Sequence, residues 1–425
     1  MTALVLHRFP LDPFPYDRWL SDFDGGVVMI AARDAIAAGG EQLPTGLGGY
    51  RHLEIVDTFE DGELVDRLAR DLAYEYQVTH VIAHHEADLH RAAALREKFG
   101  LPGQLPAGLA SFRDRVLMKR KLAAAGLEVA PHAPAGTAAE VRAFGAVHGL
   151  PLLFTDLDGP GSGTGPAGPA GPRIVRTGEE LERYLAEAFA PAAGPREDLL
   201  VEAFVAGRTC HVDGVVAGGR TVMAWPSRYA DDPGSFRSGG GALVDLTLDP
   251  SDPLTPRLLT LVEDALGALE GPADHAFHAK VFHTPDDRLV LCEITARPAG
   301  GRVQDVLGAV FGVHPVELAA RAHVGLRLPA VEARARSGGR LEPVRMAGQV
   351  LMRKRMGTVR AIPTTPEEPW VEFYGVFAEP GEVIGDPVDA CDFLAVAVLS
   401  APTRSECEKR LRALGGHFET EIVVG

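Results

Sequence analysis

The chain has 425 residues, more than one hydrophobic core can organise, and this length suggests about three domains of roughly 150 residues each. Hydrophobic residues at 46% against 24% charged place it among soluble globular proteins, and a formal net charge of −16 argues against binding nucleic acid or an anionic membrane. There is no apolar run long enough for a membrane span and no signal peptide in MTALVLHRFP, and Cys210, Cys292, Cys391 and Cys407 share no metal-ligand spacing, so a reduced, cytoplasmic protein is expected.

From the N-terminus, short apolar runs at 3–6, 27–30, 53–56 and 79–83 alternate with stretches at 62–77 and 86–100 whose apolar residues fall at helical spacing. That alternation predicts a parallel sheet with crossover helices, ending at the turn Leu101-Pro-Gly. The string SFRDRVLMKRKLAAAG predicts one helix with Ser111 as N-cap and Gly126 as its stop. Residues 150–154 predict a strand. It leads into TDLDGPGSGTGPAGPAGP at 155–172, a Gly- and Pro-rich stretch of the length used for lids and flexible linkers. A strand at 174–176, a capped helix from Thr177, strands at 199–205 and 211–216, and a helix at 256–269 follow. One helix is expected over 303–324 and a linker over 332–339. A strand-rich segment over 340–425 would carry one helix at 405–414. No internal repeat is visible.

The most informative stretch is FHAKVFHTPDDRLVLCEITARPAGG. Two-residue alternation, a turn at 285–287 and a second alternating run predict a β-hairpin that presents residues 280 and 293 to one cleft. A carboxylate pair so placed would hold magnesium on a nucleotide phosphate, because a hard cation takes carboxylate and phosphate oxygens. This chain has Glu293 but Lys280. Upstream, His84-His85-Glu86-Ala-Asp88-Leu-His90 lies at a helix N-terminus, where Glu86 and Asp88 complement the dipole. Its spacing fits no common zinc pattern, so it reads as a loop facing the cleft, with His85 toward nucleotide or substrate. Trp225-Pro-Ser-Arg-Tyr229 and Gly239-Gly-Gly-Ala read as further cleft-lining loops.

Taken in order, SFRDRVLMKRKLAAAG, PLLFTDLDGPGSGTG, LLVEAFVAGRTCHVDGVV and the hairpin resemble the ATP-grasp superfamily, in particular its carboxylate–amine ligases. The resemblance covers roughly the whole chain. It implies an α/β (α+β) protein with a parallel pre-ATP-grasp α/β domain at 1–106 and a two-lobed ATP-grasp fold at 107–335, whose lid is about 155–172. A strand-rich C-terminal segment at 340–425 would complete the grasp fold. It also implies a ligase that phosphorylates a carboxylate with ATP and passes the acyl group to an amine. ATP and Mg2+ would be the cofactors, a small-molecule carboxylic acid and an amine the substrates, and a homodimer the assembly.

The same resemblance implies roles for individual residues. Arg115 stands where the family usually has a lysine on the phosphates, and it keeps that charge. Thr155 stands where a second phosphate lysine is expected and supplies none. The run 159–165, with Ser162, resembles the glycine-rich flap whose bare N–H groups cover the phosphates, although a flexible surface linker has the same composition. Glu202 and the backbone of Ala203, Phe204 and Val205 stand at the hinge that holds adenosine, with Asp213 as a supporting group on the next strand. Glu293 would hold magnesium with weak help from Thr295, and Arg297 would stabilise charge on the transferring phosphoryl group. Gly300, Gly301 and Arg302 would face the acid substrate. Lys280 reverses the charge where the second metal ligand belongs. Two unit charges about 4 Å apart interact by about 4 kcal/mol at an effective dielectric near 20. Lys280 therefore replaces the lysine missing at 155, leaves one weakened metal site at Glu293, or marks a degenerate grasp protein that binds nucleotide without turnover.

Overall fold

Four short strands, β1 (Ala3–His7), β2 (Val27–Ala32), β3 (His52–Val56) and β4 (His80–Ala83), pair in parallel in the order β3-β2-β1-β4. β1 and β2 are buried along their whole length, which is why they read as continuous apolar runs. The helix Gly62–Glu75, whose Asp61 cap accepts from Leu64 N, packs Val65, Ala69 and Leu72 against Leu4, Leu6 and Ile30. These facts come from a computed structural model that describes residues 1–157, 173–189, 197–231, 241–334, 339–385 and 393–425.

The single helix expected from 111 is two. Pro106–Arg113 ends at Asp114, which then caps Arg115–Ala124 by accepting from Val116 N and Leu117 N, both at 2.9 Å. Asp is the better cap, and Ser111 is left buried inside the first helix. Arg115 thereby becomes the first residue of the second helix. A four-stranded sheet follows, ordered β5-β8-β6-β7, from β5 (His132–Pro134), β6 (Leu152–Asp156), β7 (Arg173–Val175) and β8 (Leu199–Ala203). The expected strand over 199–205 stops at Ala203, so Phe204 and Val205 form a connection. Most of the proposed flap, Ser162 included, and the glycines at 239 and 240 lie outside the described residues.

The centre of the molecule is an eight-stranded antiparallel sheet, ordered β13-β12-β9-β10-β11-β14-β18-β16. Its members are β9 (Arg208–Ala217), β10 (Arg220–Tyr229), β11 (Ala242–Thr247), β12 (His275–His283), β13 (Leu289–Thr295), β14 (Met346–Arg353), β16 (Val371–Val376) and β18 (Phe393–Ala401). Short strands β15 (Gly357–Ala361), β17 (Val383–Ile384) and β19 (Val423–Val424) form a separate three-stranded sheet. Residues 225–229, expected as a loop, are the end of β10, and Trp225 is buried edge-on to Phe311.

Period-two alternation divides the two faces of this sheet. Cys210, Val212, Ala279 and Val281 pack on the helix Leu254–Leu269, while Val215, Trp225 and Ala276 pack on Phe311 and Leu318. His211 and Asp213 alternate in step with Val215, and His278 and Lys280 with Ala276, so the polar site continues that second face. Residues 303–324 are two helices, Val303–Phe311 and Pro315–His323, broken by Gly312 at φ 64° and restarted by Pro315. The last helix, Arg404–Glu421, is longer than expected. Thr403 caps it, and Leu411 and Phe418 seat it on β11, β14 and β18. Among the described residues no helix is long and apolar enough to cross a membrane.

Candidate active site

A small pocket of about 40 Å³ lies between the hinge and the hairpin. Glu202, Ala203, Phe204 and Val205 wall one side, and Phe282 and Val290 to Cys292 wall the other. Sequence reasoning missed its central cation, Lys119, which is 1% exposed and donates to Glu202 Oε1 and to the Cys292 carbonyl, both at 2.8 Å. The signal was present: Lys119 lies four residues after Arg115, on the same helix face. Glu202 is therefore held by Lys119. The hinge N–H groups of Ala203 and Phe204 are committed as well, donating to Pro131 O (2.9 Å) and Pro151 O (3.1 Å). Of the hinge residues expected at the adenine edge, those two have no amide left to give.

Beside this pocket stands a row of charges. Glu293 Oε1 accepts from Lys280 Nζ at 2.7 Å, and Oε2 accepts from Arg115 at 3.0 Å. Burial alone would raise the Glu293 pKa, but the charges of Lys280 and Arg115 outweigh it and hold the carboxyl well below its usual range. Arg297 donates through Nε to Glu86 Oε2 (2.7 Å) and through its guanidinium to Pro298 O (2.8 Å), and Arg113 makes a further ion pair with Glu86 at 3.1 Å. The HHEADLH loop thus reaches the cleft through Glu86. His84 bonds Tyr16 Oη (2.9 Å), and His85 accepts from Ala87 N (3.2 Å) with its ring against Phe9. Burial lowers the pKa of both rings. The charges acting on the His85 ring include Arg8 and the cleft residue Arg297.

The hydroxyl of Thr155 is buried and has no hydrogen-bond partner among the described residues. Thr295, expected to lend magnesium an oxygen, is buried and donates to His278 O at 3.4 Å. With both oxygens of Glu293 taken by cations and Lys280 at the second ligand position, this donor set does not fit a magnesium ion held by the protein.

Asp213 does not support the nucleotide pocket. Its Oδ1 bonds His278 Nδ1 at 2.7 Å and its Oδ2 makes a short contact with His211 Nδ1. His211 Nε2 lies 3.0 Å from Asp245 Oδ1, and Gln349 donates to Asp245 Oδ2 at 2.9 Å. Burial would push His211 down, yet the charges of Asp245 and Asp213 lift it to about 10, so this imidazole carries the proton. His278 moves the other way, lowered by burial. Nothing in the sequence reading singled out His211 or His278, although each lies two positions before a residue it named. Arg302 stacks its guanidinium 3.6 Å from the Phe373 ring centre, lies 3.5 Å from Asp305, and donates its backbone N–H to Gln349 Oε1 (3.2 Å). Gly301, at φ 66°, supplies the left-handed turn before it, and Gly300 is exposed.

No protein-family model matches the chain. Uncharacterized protein y4rH of Sinorhizobium fredii (strain NBRC 101917 / NGR234) is 24% identical to it over 364 residues, 83% of this chain and 70% of that protein. Among solved structures, the L-amino acid ligase from Bacillus licheniformis superposes with a TM-score of 0.72 at 18% identity, covering 100% of this chain and 99% of the ligase. The biotin carboxylase domain of the Hydrogenobacter thermophilus 2-oxoglutarate carboxylase, solved with MgADP, ADP and bicarbonate, gives 0.70 at 18% identity over 99% and 90%. Phosphoribosylglycinamide synthetase from Anaerococcus prevotii gives 0.67 at 13% over 100% and 99%. The chain has the ATP-grasp fold, with its parallel sheet at the N-terminus and a large antiparallel sheet behind the cleft.

Proposed function

We propose that this chain is an ATP-dependent ligase that joins a carboxylate to an amine through an acyl phosphate. The observation that supports it best is the continuity between the hinge pocket and the charged row. Cys292 in the pocket wall precedes Glu293, and Lys119 lies one helical turn from Arg115. A purine admitted by opening of this small pocket would send its phosphates toward Arg115 and Lys280. A carboxylate oxygen of the acid would attack the γ-phosphorus and ADP would leave. The amine nitrogen would then attack the acyl carbon, lose its proton and expel phosphate. Arg297 would offset charge on the transferring group, and Arg302 would pair with the acid. In this reading Arg115 and Lys280 supply positive charge to the phosphates, and no step runs through magnesium. The L-amino acid ligase and the synthetase with this fold carry the reaction class in their names, which is why a small acid and an amine are the proposed substrates. A cytoplasmic setting and a homodimer belong to the same proposal.

The test is ADP release with magnesium ATP and pools of amino acids and other acids, comparing wild type, Glu293→Gln and Lys280→Glu. The ligase reading expects release that depends on both an acid and an amine, reduced at least about ten-fold in Lys280→Glu, which reverses a charge assigned to the phosphates, a loss of roughly 1.4 kcal/mol of transition-state stabilisation. Turnover seen only in Lys280→Glu would overturn it. The clamped Glu293 and uncharged Thr155 motivate a second reading, nucleotide binding without turnover. Calorimetry would then show ADP or ATP bound by a wild type that consumes no ATP.

A further inference from the structure

We propose that His211, Asp213 and His278 form a binding site for a transition-metal ion of zinc-like character on the buried face of the large sheet. The inference stands on that face alone and does not depend on the ligase reading. One donor atom from each of the three residues lies within 4.8 Å of the others. The register explains why they meet: His278 is the cross-strand partner of Asp213, and His211 precedes Asp213 by two on the same strand, so all three point to one side. Zinc takes nitrogen and oxygen donors at about 2.0–2.2 Å in a tetrahedron, which places the donors about 3.3 Å apart, so the most distant pair would close by up to about 1.5 Å and the histidines hydrogen-bonded to Asp213 would draw slightly apart from it around an ion.

Two further observations point to an ion rather than to a sealed hydrogen-bond cluster. The first is the support behind His211. Its Nε2 is anchored by Asp245, which Gln349 holds in turn at 2.9 Å. A ligating histidine commonly has its second nitrogen fixed by a carboxylate in this way, and that leaves Nδ1 as the donor. The second is charge. Asp213 and Asp245 are each 2% exposed and both bond His211, so two carboxylates are buried in one cluster, and a divalent ion there would offset their charge. The neighbouring cation, Lys280, is already engaged by Glu293. Two imidazoles with one carboxylate select zinc, cobalt or copper over magnesium.

Protein stripped with a chelator and titrated with Co2+ or Zn2+ alone, without nucleotide, tests the site. One ion per chain is expected, with the visible absorption of a tetrahedral Co2+ centre, displacement by Zn2+, and no competition from Mg2+ in large excess. Asp245→Asn, which touches only the supporting carboxylate, is expected to weaken binding about 10- to 100-fold. His278→Ala, checked for folding by circular dichroism, is expected to abolish it. A wild type that binds no Co2+ or Zn2+ overturns the inference. So does binding of unchanged strength in Asp245→Asn, or in a folded His278→Ala.

Discussion

Replacing Lys119 by methionine isolates the ion pair at the floor of the hinge pocket. The lysine is 1% exposed and Glu202 is 5% exposed, so the change removes the cation 2.8 Å from a buried carboxylate and strips the Cys292 carbonyl of its donor. Stranding a charge of that kind costs about 3–5 kcal/mol, a large part of the roughly 5–15 kcal/mol that holds a typical domain together. Lys119→Met with Glu202→Gln strands no charge, so the double variant is expected to recover about 2–3 kcal/mol of that loss. Urea unfolding followed by far-UV circular dichroism gives the energies, and hydrogen exchange at β8 and β13 assigns the transition. A single-variant loss below about 1 kcal/mol, or a double variant no better than the single, would refute the reasoning.

Three other outcomes follow from the geometry. Ala203→Trp, which fills the hinge pocket, should weaken ADP binding at least about ten-fold, or 1.4 kcal/mol, by calorimetry, and unchanged affinity would place the nucleotide elsewhere. Gly214→Ala puts a Cβ 2.2 Å from Met223 O and 2.6 Å from Phe277 Cζ, so a stability loss of about 3 kcal/mol is expected, and a loss under about 1 kcal/mol would contradict the tight β9–β10 contact. Burial holds His7 and His314 down to about 4 and His84 to about 3. Below pH 6.5 the unfolded chain binds protons that the folded chain refuses. Stability should therefore fall as pH drops from about 6.5 toward 4, by up to about 1.4 kcal/mol per unit for each ring, and urea midpoints that stay level from pH 7 to pH 5 would refute this.

How much of this was legible in the sequence depends on the range of the interaction involved. The hairpin could be read because alternation and a Pro-Asp-Asp turn are local, and the observed register does set Lys280 opposite Glu293. The N-terminal strands were legible because a strand covered on both faces is apolar throughout. Breaks inside helices were not: Asp114 and Gly312 interrupt patterns whose apolar spacing continues across them, and only cap chemistry distinguishes two helices from one. Contacts between distant segments were the least visible. Glu86 with Arg297, Lys119 with Glu202 and His278 with Asp213 join residues 65 to 211 positions apart, and nothing in the composition around either partner announces the other. Trp225 to Tyr229 looked like a loop because of Pro226, yet β10 accommodates that proline within the sheet.

The placement of β11 affects how the molecule can be made. It is covered on one side by β10, a near neighbour in sequence, and on the other by β14, about a hundred residues later. While the chain emerges from a ribosome, the flank awaiting β14 offers a row of bare amides and carbonyls to any passing strand, and it is shielded only after residues 346–353 have been synthesised. Strands so distant in sequence must close a long loop before they pair, so the topology predicts slow completion of this sheet.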